Sequence, residues 1–199
     1  MPVTQVPDKR TPVTILELWN AVLLDYELTG RSPTRRAVKL LLAQILGESA
    51  GKPHCYNLTN IKRGKSWTGD WCMFKCGEEI RASTLKAIEA LGPGLVSVAA
   101  EYVKDKVPWL SIKIKPPHPW SHFRAYPDLR AGLAGKFSYL KSHPAVLEAL
   151  HTGDLEVVNE ALAKAGFYTA AKGTYLRMLR SRMREVERAT KYLDWGDVI

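Results

Sequence analysis

The second helix predicted along the chain most constrains what this chain can fold into, because the apolar face of that helix ends on an acidic residue. That face carries apolar residues spaced three and four apart, namely Val38, Leu41, Leu42 and Ile45. Glu48 follows three residues after Ile45, so it leaves the buried side of the helix at its C-terminal end. Burial and the negative end of the helix dipole both disfavour a charged carboxylate there. We therefore expect the pKa of Glu48 to be raised.

A loop rich in glycine, lysine and aromatic residues follows this acid and extends to about Gly77. A sheltered carboxyl group beside such a loop is typical of sites that give a proton to a glycosidic oxygen. The aromatic side chains of Tyr56, Trp67 and Trp71 are candidates to stack on sugar rings, although aromatic residues serve equally well in a core.

The rest of the chain is predicted to be mainly helical. Pro12 and the pair Ser32-Pro33 are typical of helix starts, and Gly30 of a helix end. We predict strands at Trp71–Lys75 and Ser111–Lys115. Further helices are predicted at Ser83–Leu91, Leu95–Val107, Pro127–Ser142, Pro144–Gly153, Asp154–Gly166 and 174–195. We expect one domain spanning residues 1–199, and its fold class is mainly α (α+β).

The net charge of +9 indicates either an anionic partner or a solubilising surface. A nucleic acid and a bacterial wall with free carboxylates and teichoic acids both fit, and charge alone does not choose between them. No apolar run approaches the ~20 residues that a membrane span needs, so we expect no membrane insertion. Residues 1–10 contain no apolar signal-peptide segment, so we expect the protein to be made in the cytoplasm without a signal peptide.

Three cysteines, Cys55, Cys72 and Cys76, leave several interpretations open. An odd number argues against a full disulfide framework, although one disulfide is possible in principle. A zinc site with the adjacent His54 is a second interpretation, and burial as small apolar residues is a third. We expect no metal and no cofactor.

Short blocks of sequence occur in one order between about Leu40 and Leu179. They are Ala43-Gln44 to Glu48-Ser49, Tyr-Asn-Leu-Thr-Asn-Ile-Lys at 56–62, Trp-Thr-Gly at 67–69, Phe-Arg-Ala-Tyr at 123–126, and Leu162 to Thr169. With these blocks in this order, the chain resembles the bacterial glucosaminidases of glycoside hydrolase family 73, which include the wall-cutting domain of flagellar rod assembly proteins. The resemblance implies a lysozyme-like helical domain with a small β-hairpin, a family-like core at about 33–180, and extra N- and C-terminal helices.

The resemblance also implies roles for particular residues. Glu48 matches the general acid of the family, and the second acid falls on Glu78, eleven positions beyond Trp67. Glu79 beside it, together with Tyr56, Asn57 and Trp67, is implied to bind substrate. The family uses a tyrosine near the last block, where this chain has Phe167 followed by Tyr168, so Tyr168 is implied as a third catalytic residue. The segment between Glu48 and Tyr56 and the surroundings of Glu78 both depart from the family pattern.

These observations predict a peptidoglycan hydrolase that cleaves the β-1,4 bond between N-acetylglucosamine and N-acetylmuramic acid. We expect a monomer that acts on glycan strands of the cell wall, as a phage endolysin or a virion-associated lysin. One alternative is a non-catalytic wall-binding or virion structural module with the same fold. Another is a basic nucleic-acid-binding helical domain, for which the sequence holds no recognisable motif, so we expect no nucleic-acid partner.

Overall fold

The computed structural model describes residues 3–168 and 172–193, and these divide into two compact units. The β-rich unit joins the N-terminal residues up to Asp8 to Ile61–Ala125. The helical unit joins Lys9–Asn60 to the chain from Tyr126 onward. Thr169, at the end of the last sequence block, and the predicted helix end at 194–195 lie outside the described residues.

Helices form most of the regular structure. They are α1 (Ile15–Asp25), α2 (Arg35–Ser49), α3 (Leu85–Glu89), α4 (Leu129–Lys141), α5 (Pro144–Thr152), α6 (Leu155–Lys164) and α7 (Lys172–Ala189). The strands are β1 (Trp71–Met73), β2 (Cys76–Arg81), β3 (Val96–Lys104), β4 (Val107–Ile114) and β5 (His122–Arg124). Within the described ranges, no helix has the length and apolar character that crossing a bilayer requires.

Side-chain caps set where the helices of the helical unit begin. Thr14 caps α1 in a reciprocal capping box with Glu17, and Thr34 caps α2 by accepting the Ala37 N–H at 3.1 Å. Both helices therefore begin after a threonine hydroxyl, later than Pro12 and Ser32-Pro33 predicted. Asp154 caps α6 as expected from the sequence.

The core of the helical unit surrounds α2, which is buried along most of its length. Helix α4 packs closely against the loop that follows α2, because Gly132 has no side chain. A Cβ atom there would lie 2.2 Å from the carbonyl oxygen of Tyr56. This close approach fixes the loop carrying Tyr56 over α4. On α7, a periodic apolar stripe faces the same core and consists of Tyr175, Leu179, Met183 and Val186.

The β-rich unit contains two antiparallel sheets, one pairing β1 with β5 and one with the strand order β2-β4-β3. The three-stranded sheet covers a small apolar core with α3, made of Ile80, Ile88, Leu110, Ile112 and Ile114. The predicted strand at Ser111–Lys115 is confirmed, since β4 ends at Ile114.

The helix predicted at Leu95–Val107 is wrong, because this segment forms β3 and the turn that joins it to β4. Asp105 and Lys106 both adopt positive φ, at 51° and 62°. Two such residues form the tight turn that matches the twist of a β-hairpin. Valines at 96, 98 and 103 suit a strand, and pairing with β4 overrides the helical preference of Ala99 and Ala100.

Candidate active site

Glu48 lies in the last turn of α2, half-buried, as its place on the apolar face predicts. The helix ends at Ser49, and the residue that caps it, Ala50, adopts a left-handed conformation with φ at 49°. The backbone carbonyl of Glu48 accepts a hydrogen bond from the Asn60 side-chain amide at 2.9 Å. This contact ties the end of α2 to the loop that follows it.

The carboxyl group of Glu48 is bonded to a tyrosine from the far end of the chain. Tyr175, in the first turns of α7, donates its hydroxyl to Glu48 Oε1 at 2.6 Å. The ring of Tyr175 stacks on that of Tyr168, with centroids 3.7 Å apart and an interplanar angle of 7°. Tyr168 in turn donates its hydroxyl to Asn159 Oδ1 at 2.6 Å. The stack therefore anchors the carboxyl group of Glu48 to α6 and α7.

Burial dominates the protonation of this cluster. It raises the pKa of Glu48, while the hydrogen bond from Tyr175 and the positive charge of Lys136 act in the opposite direction. Burial and the neighbouring Glu48 also raise the pKa of Tyr175 above its usual range. The Tyr175 phenol therefore keeps its proton at neutral pH and donates to the carboxyl group.

A lysine lies buried in the same unit. Lys136, on the inner face of α4, has no exposed surface, and its Nζ lies 4.6 Å from the ring centroid of Phe167. Among the described residues its ammonium has no hydrogen-bond partner. Burial lowers the pKa of Lys136 to about 7, and the charge of Glu48 opposes that shift. The acid thus has a titratable cation as a neighbour.

The predicted loop residues of the helical unit differ in exposure. Tyr56 is half-buried and adopts a left-handed conformation with φ at 51°, and its N–H donates to the Thr11 hydroxyl at 3.0 Å. Asn57 has no exposed surface, and its N–H donates to the His54 carbonyl at 2.8 Å. Of these two side chains, only Tyr56 presents surface on which a ligand can rest.

The two acids predicted for the site, Glu78 and Glu79, lie on opposite faces of β2, because successive strand residues alternate. Glu78 Oε1 forms a 2.7 Å ion pair with Lys62 Nζ. Lys62 also donates to the Trp120 carbonyl at 2.6 Å. Glu78 lines an open cavity of about 680 Å³ together with Lys62, Arg63, Gly64, Lys65, Pro119, Trp120 and His122. Glu79 is half-buried on the other face.

Trp67 is half-buried and held within its own loop. Its indole N–H donates to the Asp70 carbonyl at 2.7 Å, and the Arg124 guanidinium lies 4.5 Å from its ring centroid. The ring also lies against Gly69, where a Cβ atom would come within 2.5 Å of it. The Trp-Thr-Gly block therefore forms a compact local structure that fixes the indole.

The cysteines Cys55 and Cys72 are buried, and Cys76 is half-buried. The Lys62 ammonium donates to Cys76 Sγ at 3.5 Å, and burial raises the pKa of that thiol. Cys76 is therefore protonated at neutral pH and poorly suited to act as a nucleophile.

Sequence reasoning missed Tyr175 and Lys136. Tyr175 begins the apolar stripe of α7, so its periodicity with Leu179 marks it as buried but does not reveal its partner. Lys136 falls between Leu133 and Phe137 on the apolar face of α4. A lysine in that position is the local signal that a buried charge is present, since lysine is rarely fully buried without a partner.

Comparison with known proteins supports the fold. No protein-family model and no curated protein matches this chain. A peptidoglycan hydrolase mutant from Sphingomonas sp. A1 is similar in structure, with a TM-score of 0.53 and 16% sequence identity over 88% of this chain and 99% of that chain. The glycoside hydrolase domain of FlgJ from Salmonella typhimurium gives a TM-score of 0.48 and 19% identity over 90% of this chain and 92% of that chain. The predicted mainly helical, lysozyme-like α+β fold is confirmed by the first of these similarities.

Proposed function

We propose that this protein is a peptidoglycan hydrolase that cleaves the β-1,4 bond between N-acetylglucosamine and N-acetylmuramic acid, with Glu48 as general acid. The observation that carries the proposal is a half-buried carboxyl group with a raised pKa, bonded to Tyr175. The sequence blocks around Glu48 and the fold shared with a structure described as a peptidoglycan hydrolase support the same reaction class.

The chemistry follows from the surroundings of Glu48. A glycosidic oxygen leaves only when it receives a proton as the bond to the anomeric carbon breaks. A raised pKa lets Glu48 keep that proton at a higher pH than an exposed glutamate does. Once the proton has moved, the Tyr175 hydroxyl stabilises the new carboxylate through a charge-assisted hydrogen bond.

The remaining predicted residues have supporting roles in this proposal. Glu78 is our candidate for the second carboxylate, and Glu79 for a substrate contact. Tyr168 acts on the acid through the ring of Tyr175, on which it stacks. Tyr56 and Trp67 are proposed to bind the glycan, whereas Asn57, which has no exposed surface, is proposed to brace the loop that carries Tyr56. The left-handed backbone of Tyr56 supports its role, since strained residues of this kind cluster at functional sites.

The setting of the reaction is also part of the proposal. We infer a monomer without cofactor, made in the cytoplasm and acting on the cell wall as a phage endolysin or virion-borne lysin. The net charge of +9 supports a polyanionic target such as the wall. Neither a nucleic-acid partner nor membrane insertion is part of this account.

The test is the substitution Glu48→Gln, which preserves side-chain size but removes the transferable proton. We expect the release of reducing ends from purified peptidoglycan to fall by roughly 10²- to 10⁴-fold, the usual contribution of a general acid. Glu27→Gln is the matched control, because Glu27 is exposed in the same unit. Circular dichroism checks that both variants fold. Full activity of a folded Glu48→Gln variant would refute the assignment of the acid.

A second candidate is a wall-binding or virion structural module that cuts nothing. The observation in its favour is the ion pair of Glu78 with Lys62, which already neutralises the candidate second carboxylate. This alternative predicts that the purified protein sediments with wall fragments and releases no reducing ends. The hydrolase predicts release that Glu48→Gln abolishes.

A further inference from the structure

The open cavity of the β-rich unit carries more positive than negative charge. Its lining contains three cations, Lys62, Arg63 and Lys65, and one carboxylate, that of Glu78. Burial lowers the pKa of His122, which also lines the cavity, so this imidazole adds no charge at neutral pH. The cavity volume of about 680 Å³ lies within the range of sites that hold small molecules. The charge and the size together indicate a compact anionic ligand.

Lys62 is already occupied by contacts within the protein. Its Nζ lies 2.7 Å from Glu78 Oε1 and 2.6 Å from the Trp120 carbonyl oxygen. It also donates to Cys76 Sγ at 3.5 Å. These contacts use all the donors of an ammonium group and balance its charge against that of Glu78. Lys62 therefore holds the wall of the cavity together and leaves the binding of an anion to its neighbours.

Arg63 and Lys65 are the cations that remain for a ligand. Within residues 3–168 and 172–193, neither forms an ion pair with a carboxylate. The Arg63 guanidinium lies over the ring of Trp71, 4.4 Å from its centroid. The ring covers one face of the planar guanidinium and leaves the N–H groups at its edge available to an acceptor. A carboxylate matches that edge, because its two oxygens can accept two parallel N–H bonds.

The rest of the lining favours a carboxylate carried by a peptide over a phosphate group. Pro119 and Trp120, which is 36% exposed, supply apolar surface against which a small side chain can pack. Glu78 accepts from Lys62, and its other lone pairs can accept a peptide N–H, which a phosphate group does not have. A short peptide supplies the three matching groups, namely an acid, an apolar side chain and an N–H donor.

We propose that this cavity binds a short acidic peptide, with Arg63 and Lys65 holding a carboxylate of the peptide and Trp120 lining its apolar side. In peptidoglycan such a peptide is the stem attached to N-acetylmuramic acid, which carries free carboxylates. Identifying the ligand as that stem rests on the proposed function. The identification implies that the protein recognises peptide-bearing glycan strands in preference to bare ones.

The test is a ¹H–¹⁵N NMR titration of the protein with the synthetic stem peptide L-Ala-γ-D-Glu-L-Lys-D-Ala. We expect saturable shifts of the Trp120 indole N–H and of the backbone amides of Arg63 and Lys65. The same peptide with its carboxylates converted to amides should cause no saturable shift. This comparison needs no protein variant, so misfolding cannot affect it. Equal affinity for the two peptides, or binding of neither, would overturn the proposal.

Substitutions then locate the peptide within the cavity. Arg63→Gln should weaken binding by about tenfold, the usual loss when a hydrogen bond to a charged group is removed. Lys65→Gln should weaken binding by a smaller factor, since Lys65 is exposed and its charge is screened. Lys113→Gln is the matched control, because the exposed Lys113 pairs with Gly77 and so lies on the face of the sheet away from Glu78. Equal affinity of Arg63→Gln and wild type would contradict the assignment.

Glycerol 3-phosphate is the probe for an anion from another source, such as the phosphates of teichoic acids. If it shifts the same signals and the peptide does not, the cavity is a phosphate site and the peptide assignment is wrong. The peptide titration measures no bond cleavage, so its result does not depend on whether the protein cuts peptidoglycan. A protein that binds the peptide and cuts no wall would refute the proposed function alone.

Discussion

At the scale of residues, the proposed chemistry depends on how the carboxyl group of Glu48 is held. Glu48 is half-buried, and Tyr175 donates to it at 2.6 Å while stacking on Tyr168. Desolvation raises the pKa of Glu48, and the phenol moderates that rise by favouring the carboxylate. Burial and the hydrogen bond thus shift the pKa of Glu48 in opposite directions, and each can be changed without removing the other.

Replacing Tyr175 with phenylalanine separates these effects. Tyr175→Phe keeps the aromatic ring and removes the hydrogen bond that lowers the pKa of Glu48. We expect the Glu48 midpoint to move to higher pH in a ¹³C titration. Tyr192→Phe, at a tyrosine that is 87% exposed, is the control.

The protonation of Glu48 also determines how the free energy of unfolding changes with pH. A carboxyl group whose folded pKa is raised stabilises the fold below its unfolded value of about 4.3, and this contribution is lost as pH rises through the folded pKa. In Tyr175→Phe this stabilising contribution should therefore be lost over a range that extends to higher pH than in wild type. Chemical denaturation at a series of pH values measures the free energy of unfolding of both proteins. An unchanged Glu48 midpoint would show that the hydrogen bond has no influence on the acid.

At the scale of elements, close packing of helices on loops positions these side chains. Gly132 lets α4 approach the carbonyl of Tyr56, and Gly47 lets α2 approach Met178 of α7. The two contacts differ in character, because a backbone carbonyl cannot move aside while the flexible end of a methionine can. A side chain added at Gly132, against the loop carrying Tyr56 and Asn57, should therefore disturb the structure more than one added at Gly47.

We expect Gly132→Ala to destabilise the protein although alanine favours a helix. The added methyl group would meet the Tyr56 carbonyl oxygen at 2.2 Å, and overpacking of this kind costs about 1–3 kcal/mol. The gain in helix propensity returns at most about 1 kcal/mol. Gly173→Ala in α7 is the control, since the nearest atom lies 3.8 Å away, and it should be neutral or stabilising. Urea unfolding compares the two variants, and a Gly132→Ala protein as stable as wild type would show that the loop yields.

At the scale of the whole molecule, the sequence predicts the structural features that follow from the local spacing of apolar residues. The spacing of Leu41, Ile45 and Glu48 places the acid at the buried end of α2, because a helix repeats every 3.6 residues. Tyr175 lies 127 residues from Glu48, and no local pattern indicates that they meet. The helix predicted at Leu95–Val107 is wrong for a related reason, since Val-Ala runs suit both structures and only the pairing of β3 with β4 decides between them.

The measurement that tests the central claim most directly is mass spectrometry of fragments released from purified peptidoglycan. Wild-type protein should release muropeptides whose new reducing end is N-acetylglucosamine, and Glu48→Gln should release none above background. Release of the same fragments by both proteins, or no release by wild type on walls from several bacteria, would contradict the proposal that Glu48 is the acid of a wall-cleaving glycosidase.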